Sequence, residues 1–157
     1  APEKEPLLTS RAVLEAVQAL DIDATREFYF QLAGTTDVEA RVESAVRLGD
    51  ARARSADGEK ALAVLRGLLS DEDHRVRAEA AVSLFILDDS AAVKYISVLL
   101  DSADRWERMY ALRALLRVKD PGRLAPFRSS LEKCLADPEL DSYLKKEWAT
   151  RMEKIGK

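Results

Sequence analysis

One histidine occurs in the 157 residues. It is His74, and it stands between Asp73 and two arginines, Arg75 and Arg77. A carboxylate beside an imidazole is the arrangement of general acid–base chemistry, in which the acid orients the ring and the ring moves a proton. That chemistry also needs a nucleophile or a second acid, and the surrounding stretch "DEDHRVRAEAAVSLFIL" (Asp71 to Leu87) supplies no nucleophile placed for it. A single cysteine, Cys134, can form neither an internal disulfide nor a thiolate metal cluster, and one His with one Cys gives no zinc-ligand spacing. The six glycines include no phosphate-cradling loop. The acidic groups Asp71–Asp73 and Asp88–Asp89 could attract a cation, but such groups at turns usually cap helices and meet water. The residue types therefore predict no catalytic site, no metal and no cofactor.

The same stretch reads differently once its neighbours are aligned. "DRWERMYALRALLRVKD" lies 31 residues on, and places Asp104, Arg108, Ala111 and Leu115 on Asp73, Arg77, Ala80 and Leu84. A step of 36 backwards puts Asp37, Arg41, Ala45 and Leu48 on Asp73, Arg77, Ala81 and Leu84. A step of 37 forwards puts Asp141, Lys145, Ala149 and Met152 on Asp104, Arg108, Leu112 and Leu115. The preceding segments keep step too, with Leu65 on Ile96 and Leu68 on Leu99. Recurrence at thirty-odd residues is the mark of stacked supersecondary units.

Each unit reads as two helices, because apolar residues recur at three- and four-residue intervals, as in Val76, Ala80, Leu84 and Leu87. Gly34 ends one helix, and Thr36 with Glu39 has the form of a capping box that starts the next. Asp73 and Asp104 stand where N-caps belong, Asp120-Pro121-Gly122 breaks the chain, and Ala51 to Gly58 is the longest expected loop. The prediction is an all-α chain: a loose tail over residues 1–6, then one domain over 7–157. In that domain a helix near Ser10–Leu20 precedes four antiparallel pairs over about 23–50, 58–88, 90–119 and 121–156, stacked as a right-handed α-α superhelix.

An apolar helix ending Leu-Leu-Asp, followed by Asp-x-x-x-Arg-x-x-Ala-x-x-x-Leu, resembles the HEAT repeat, and is most similar to the short bacterial variety of phycobilisome lyases. Ala125-Pro126-Phe127 resembles the proline-bearing first helix of that repeat, and Lys145 departs from its arginine. The resemblance implies a non-catalytic scaffold binding a partner protein on its concave face. It equally admits an accessory C-terminal domain of a larger enzyme, such as a sulfatase-like hydrolase, and more remotely a bilin lyase subunit or a nucleic-acid-binding HEAT protein. Under it, Asp37, Arg41, Asp73, Arg77, Asp104 and Arg108 become a structural ladder, with the aspartates capping and the arginines pairing to them. His74 becomes an exposed first-turn residue without a chemical role, and Trp148, in the place of Ser44, Ala80 and Ala111, a cap on the last repeat.

Charge narrows the partner. The net charge is −3 and the pI about 5.4, which argues against nucleic acid as the main ligand. No apolar run is long enough to cross a bilayer. A monomer is expected, in the cytoplasm, or outside it if the chain is cut from an exported enzyme; the start at Ala1 leaves both open. No asparagine occurs, so no N-linked glycosylation site exists.

A helical wheel assigns an inner strip to the second helix of each pair. It is Glu39, Val42, Val46 and Asp50 in the first, and Arg75, Ala78, Val82 and Ile86 in the second. In the third it is Trp106, Met109, Arg113 and Arg117, and in the fourth Tyr143, Lys146, Thr150 and Lys154. Residues 1–78 carry net −4 and residues 79–157 net +1, in the same direction as the strips. Aromatic and basic residues together favour binding hot spots. The candidate partner-binding residues are therefore Trp106, Met109, Arg113, Arg117, Tyr143, Lys146 and Lys154, facing an acidic or extended peptide segment.

Overall fold

Five aspartates start helices in the computed structural model, which describes residues 22–50 and 58–155. Asp37 accepts from Ala40 N (3.0 Å), Asp73 from Arg75 N (2.8 Å), Asp104 from Trp106 N (2.8 Å), Asp120 from Gly122 N (2.9 Å) and Asp141 from Leu144 N (3.1 Å). Each carboxylate satisfies an N–H that the first helical turn leaves without a partner. The elements that follow are α1 (Ile22–Leu32), α2 (Val38–Leu48), α3 (Gly58–Leu68), α4 (His74–Ile86), α5 (Ala92–Leu100), α6 (Arg105–Leu115), a 3₁₀ helix (Pro121–Phe127), α7 (Arg128–Leu135) and α8 (Ser142–Met152). No strand occurs among the described residues. The helix expected at Ser10–Leu20, the tail at Ala1–Pro6 and residues 51–57 of the expected loop lie outside them.

Two expectations need correction. The cap of α2 is Asp37 and not Thr36, because the helix begins at Val38 and the Asp37 carboxylate takes the free N–H. The proline-bearing first helix of the last pair is divided into a 3₁₀ segment holding Pro126 and a short α7. A proline inside a helix removes one hydrogen bond and crowds the preceding turn, so the chain takes the tighter winding there.

The helices run as consecutive pairs, and α4 is the centre: α2, α3, α5 and α6 all pack on it. Its buried residues include Val76, Ala78, Ala81, Val82, Leu84 and Phe85, which lie on more than one side, so this helix is apolar nearly all round. Small residues permit the approach of α2. Ser83 Oγ donates to Ala45 O (2.7 Å), and a Cβ at Gly49 would stand 2.1 Å from Ser83 Oγ and 2.8 Å from Ser83 Cα, so only glycine fits. The Phe85 and Phe127 rings meet edge to face at 5.4 Å, tying α4 to the 3₁₀ segment. Trp148 is fully buried and its indole N–H donates to Leu112 O (3.2 Å), which joins α8 to α6.

Candidate partner-binding face

The arginines at the fifth position from each cap bracket the turns between helices. Arg41 Nη1 donates to Thr35 O (3.2 Å), Arg77 Nη1 to Asp71 O (2.6 Å) and Arg108 Nη1 to Ser102 O (2.8 Å), each to the carbonyl six residues earlier. The rest of each guanidinium reaches an acid of the next pair. Arg41 holds Asp71 with two bonds (2.7 and 3.0 Å), Arg77 pairs with Glu107, and Arg108 lies 3.2 Å from Asp137. The capping aspartates and the arginines therefore do not share one ladder. Asp37, Asp73 and Asp104 are engaged by backbone N–H groups, and the partners of Arg41, Arg77 and Arg108 are Asp71, Glu107 and Asp137. Lys145, in the arginine's place, bonds Pro138 O (3.2 Å) and makes no ion pair among the described residues; its compact ammonium lacks the spread fork with which guanidinium spans a turn carbonyl and a neighbouring acid.

Electrostatics follow the seams. Burial pushes the Asp71 carboxyl upward, but hydrogen bonds from Arg41 and from the Asp73 backbone outweigh it, and the group sits below the usual range. A hydrogen bond from Ser102 Oγ (2.6 Å) and then Arg77 hold Glu107 below its usual value against burial. Burial also pushes the Cys134 thiol upward, and Sγ donates to Leu100 O (3.2 Å), so it stays a protonated core group.

His74 belongs to the second seam. Its Nδ1 lies 2.7 Å from Arg77 Nη2, and since guanidinium only donates, Nδ1 accepts and the proton of the neutral ring is on Nε2. Asp104 Oδ2 is 3.6 Å from Nε2, and Glu107 Oε1 3.6 Å from Nδ1. The hydroxyl of this network, Ser102, donates to Glu107 and not to the imidazole. The arrangement is a half-exposed hydrogen-bonded link between α4 and α6.

The inner strips differ sharply in exposure. In α4, Ala78 and Val82 are each 1% exposed, so the middle of the expected open strip is packed shut. Arg75 pairs across it with Glu39 and back to Asp73. Arg117 pairs with Glu79, donates to Ser83 Oγ (3.0 Å) and reaches Val46 O at the end of α2 (3.3 Å). The third and first pairs thus close over the second, and Arg117 is committed to partners within the same chain. A groove of about 630 Å³ beside it is lined by Val46, Gly49, Ile86, Arg117, Val118 and Arg123. Arg123 is likewise held, by Phe85 O (2.7 Å) and Asp88 (2.6 Å).

Beyond that closure the surface is open. Trp106 and Tyr143 are 50% and 59% exposed, Arg113, Lys146 and Lys154 are exposed, and Met109 is half-buried. The Trp106 ring stacks near Tyr110 (centroids 6.4 Å apart), with the Arg105 guanidinium 5.5 Å from its centre. The Trp148–Leu112 bond and those from Arg151 to Leu116 O and Val118 O (2.6 and 2.8 Å) tie α8 to α6 and the turn after it. Glu147 is the exposed acid on that part of α8. A recess of about 230 Å³ separates α6 from the α7–α8 turn, with Met109, Leu112, Cys134 and Leu140 as its apolar walls, Trp106 at its edge and Arg105–Glu139 (2.6 Å) on its rim.

Sequence reasoning missed the arginines that serve neighbouring carbonyls. Arg117, Arg123 and Arg151 all reach carbonyls at or just beyond helix ends in other pairs, and the only signal was their place near the end of a helix or in the turn after one. The family described as HEAT repeats matches residues 26–117, more than half of the chain. No curated protein sequence matches the chain significantly.

Proposed function

Since the chain belongs to the HEAT-repeat family, whose members commonly serve as protein-interaction scaffolds, we propose that it holds an acidic, extended segment of a partner protein on the inner face of α6 and α8. The observation that carries this is the contrast in charge pairing. Arg75 and Arg117 are paired with the acids Glu39 and Glu79 of the same chain. Arg113, Lys146 and Lys154 are exposed without an ion pair among the described residues, on helices that also expose Trp106 and Tyr143. A cation without an internal partner keeps its field for an incoming carboxylate, and the rings supply area at small entropic cost. The same surface would serve if the acidic segment belonged to a longer polypeptide that carries this domain.

The test is charge reversal where no internal pair is lost. Arg113→Glu with Lys146→Glu is expected to abolish binding of a glutamate-rich synthetic peptide while the melting temperature stays within about 2 °C of the parent. Equal affinity of the double variant and the parent would overturn the reading.

A further inference from the structure

The recess at the start of α6 asks for more than charge. Met109, Leu112, Cys134 and Leu140 give it an apolar part, and the cations around that part are already paired: Arg105 with Glu139, and Arg108 with Asp137. Asp141 is engaged in capping α8. A carboxylate entering there would meet acids and find no free cation. A cavity of 150 Å³ lined by aliphatic side chains can hold one benzene ring. At about 230 Å³, this recess has room for one leucine-sized side chain.

Resting on the reading above, we propose that the recess takes a single apolar anchor of the acidic segment, with Trp106 covering it and the carboxylates lying toward Arg113. The polarity follows from the two ends of α6. At its start stand Asp104, Asp137, Glu139 and Asp141, which repel a second acid. Toward its end stands Arg113, exposed and free of any ion pair among the described residues. Seven residues of helix separate Trp106 from Arg113, about 10.5 Å at 1.5 Å per residue. An extended chain covers that in about three residues. The segment that fits therefore has its acidic side chains about three to four positions from a Leu, Met or Phe, so that anchor and carboxylates engage together.

Two synthetic peptides separate this from the simpler charge reading. The first is Glu-Glu-Gly-Gly-Leu-Gly-Gly-Glu-Glu, which presents acids on either side and so suits either chain direction; the second has Ala for Leu. Titration calorimetry of the whole chain is expected to give about tenfold tighter binding of the leucine peptide, the effect of partly burying one such side chain. In Trp106→Ala, an exposed position that tolerates truncation, that preference should fall below threefold, while Trp106→Phe restores it. Equal affinity of the two peptides for the parent would overturn the anchor but leave the acidic-segment reading standing. Binding of neither peptide would overturn both.

Discussion

The second and third pairs carry the same repeat positions on α4 and α6, and put them to opposite uses. On α4 the inner strip is Ala78 and Val82, small enough for α2 and α6 to close over it, with Arg117 reaching through to Val46 O. On α6 the matching strip begins with Trp106 and Met109 and continues with Arg113, and it stays open. A repeat register thus fixes where a side chain points, while side-chain size and the neighbours' reach decide whether that place becomes core or surface. Curvature does the sorting: a helix with small residues on its inner side lets its neighbours converge there.

The comparison is most severely tested by moving a charge between the two strips. Val82→Asp places an unpaired carboxylate in the closed strip and should destabilise the fold by at least about 3 kcal/mol. Arg113→Asp, at a matching site on the open strip, should stay within about 0.5 kcal/mol in urea unfolding. Similar losses at both positions would mean that the strips do not differ in this way.

The seams carry a second gradient. Arg41 and Asp71 are 8% and 9% exposed at the side chain, whereas Arg108 and Asp137 are 24% and 28% exposed. Asp71→Ala leaves a buried guanidinium without its partner and should cost about 3 to 5 kcal/mol. Asp137→Ala, in the wetter seam, should cost clearly less than Asp71→Ala in the same urea unfolding experiment.

The pH response follows from the depressed carboxyls. Asp71, Asp73 and Glu107 all titrate below their ordinary range in the folded chain. Their contribution to stability is therefore complete above the unfolded carboxyl values of about 4, and is lost as pH falls through the lowered folded values. Asp71→Ala should show a shallower loss than the parent as pH falls below about 4. A steeper loss would contradict the assignment.

The smallest effect belongs to Lys145, which holds one exposed carbonyl where its counterparts hold a turn and an acid. Lys145→Ala should change stability by less than about 0.5 kcal/mol.

Much of this was legible in the chain. Period and breakers gave the helix pairs, and Asp73 and Asp104 gave the caps of α4 and α6, because both are local effects of backbone hydrogen bonding. The partners of Arg41, Arg77 and Arg108 were not legible. Asp71, Glu107 and Asp137 do not share one position relative to their caps, so no repeat alignment could select them. The closure over Ala78 and Val82 was missed for a related reason. A helical wheel treats one helix at a time, and curvature is a property of three. Arg117 was grouped with Arg113 by spacing, although its position past the end of α6 lets its guanidinium reach a carbonyl of α2.

The two indole N–H groups offer the most direct test that binding belongs to the open strip. Trp148 is fully buried, with its N–H on Leu112 O, while Trp106 is half-exposed at the edge of the recess. In a proton–nitrogen spectrum titrated with the leucine-containing acidic peptide, the Trp106 indole signal should move to saturation and the Trp148 signal should stay in place. Saturable binding that leaves the Trp106 signal unmoved would contradict the account.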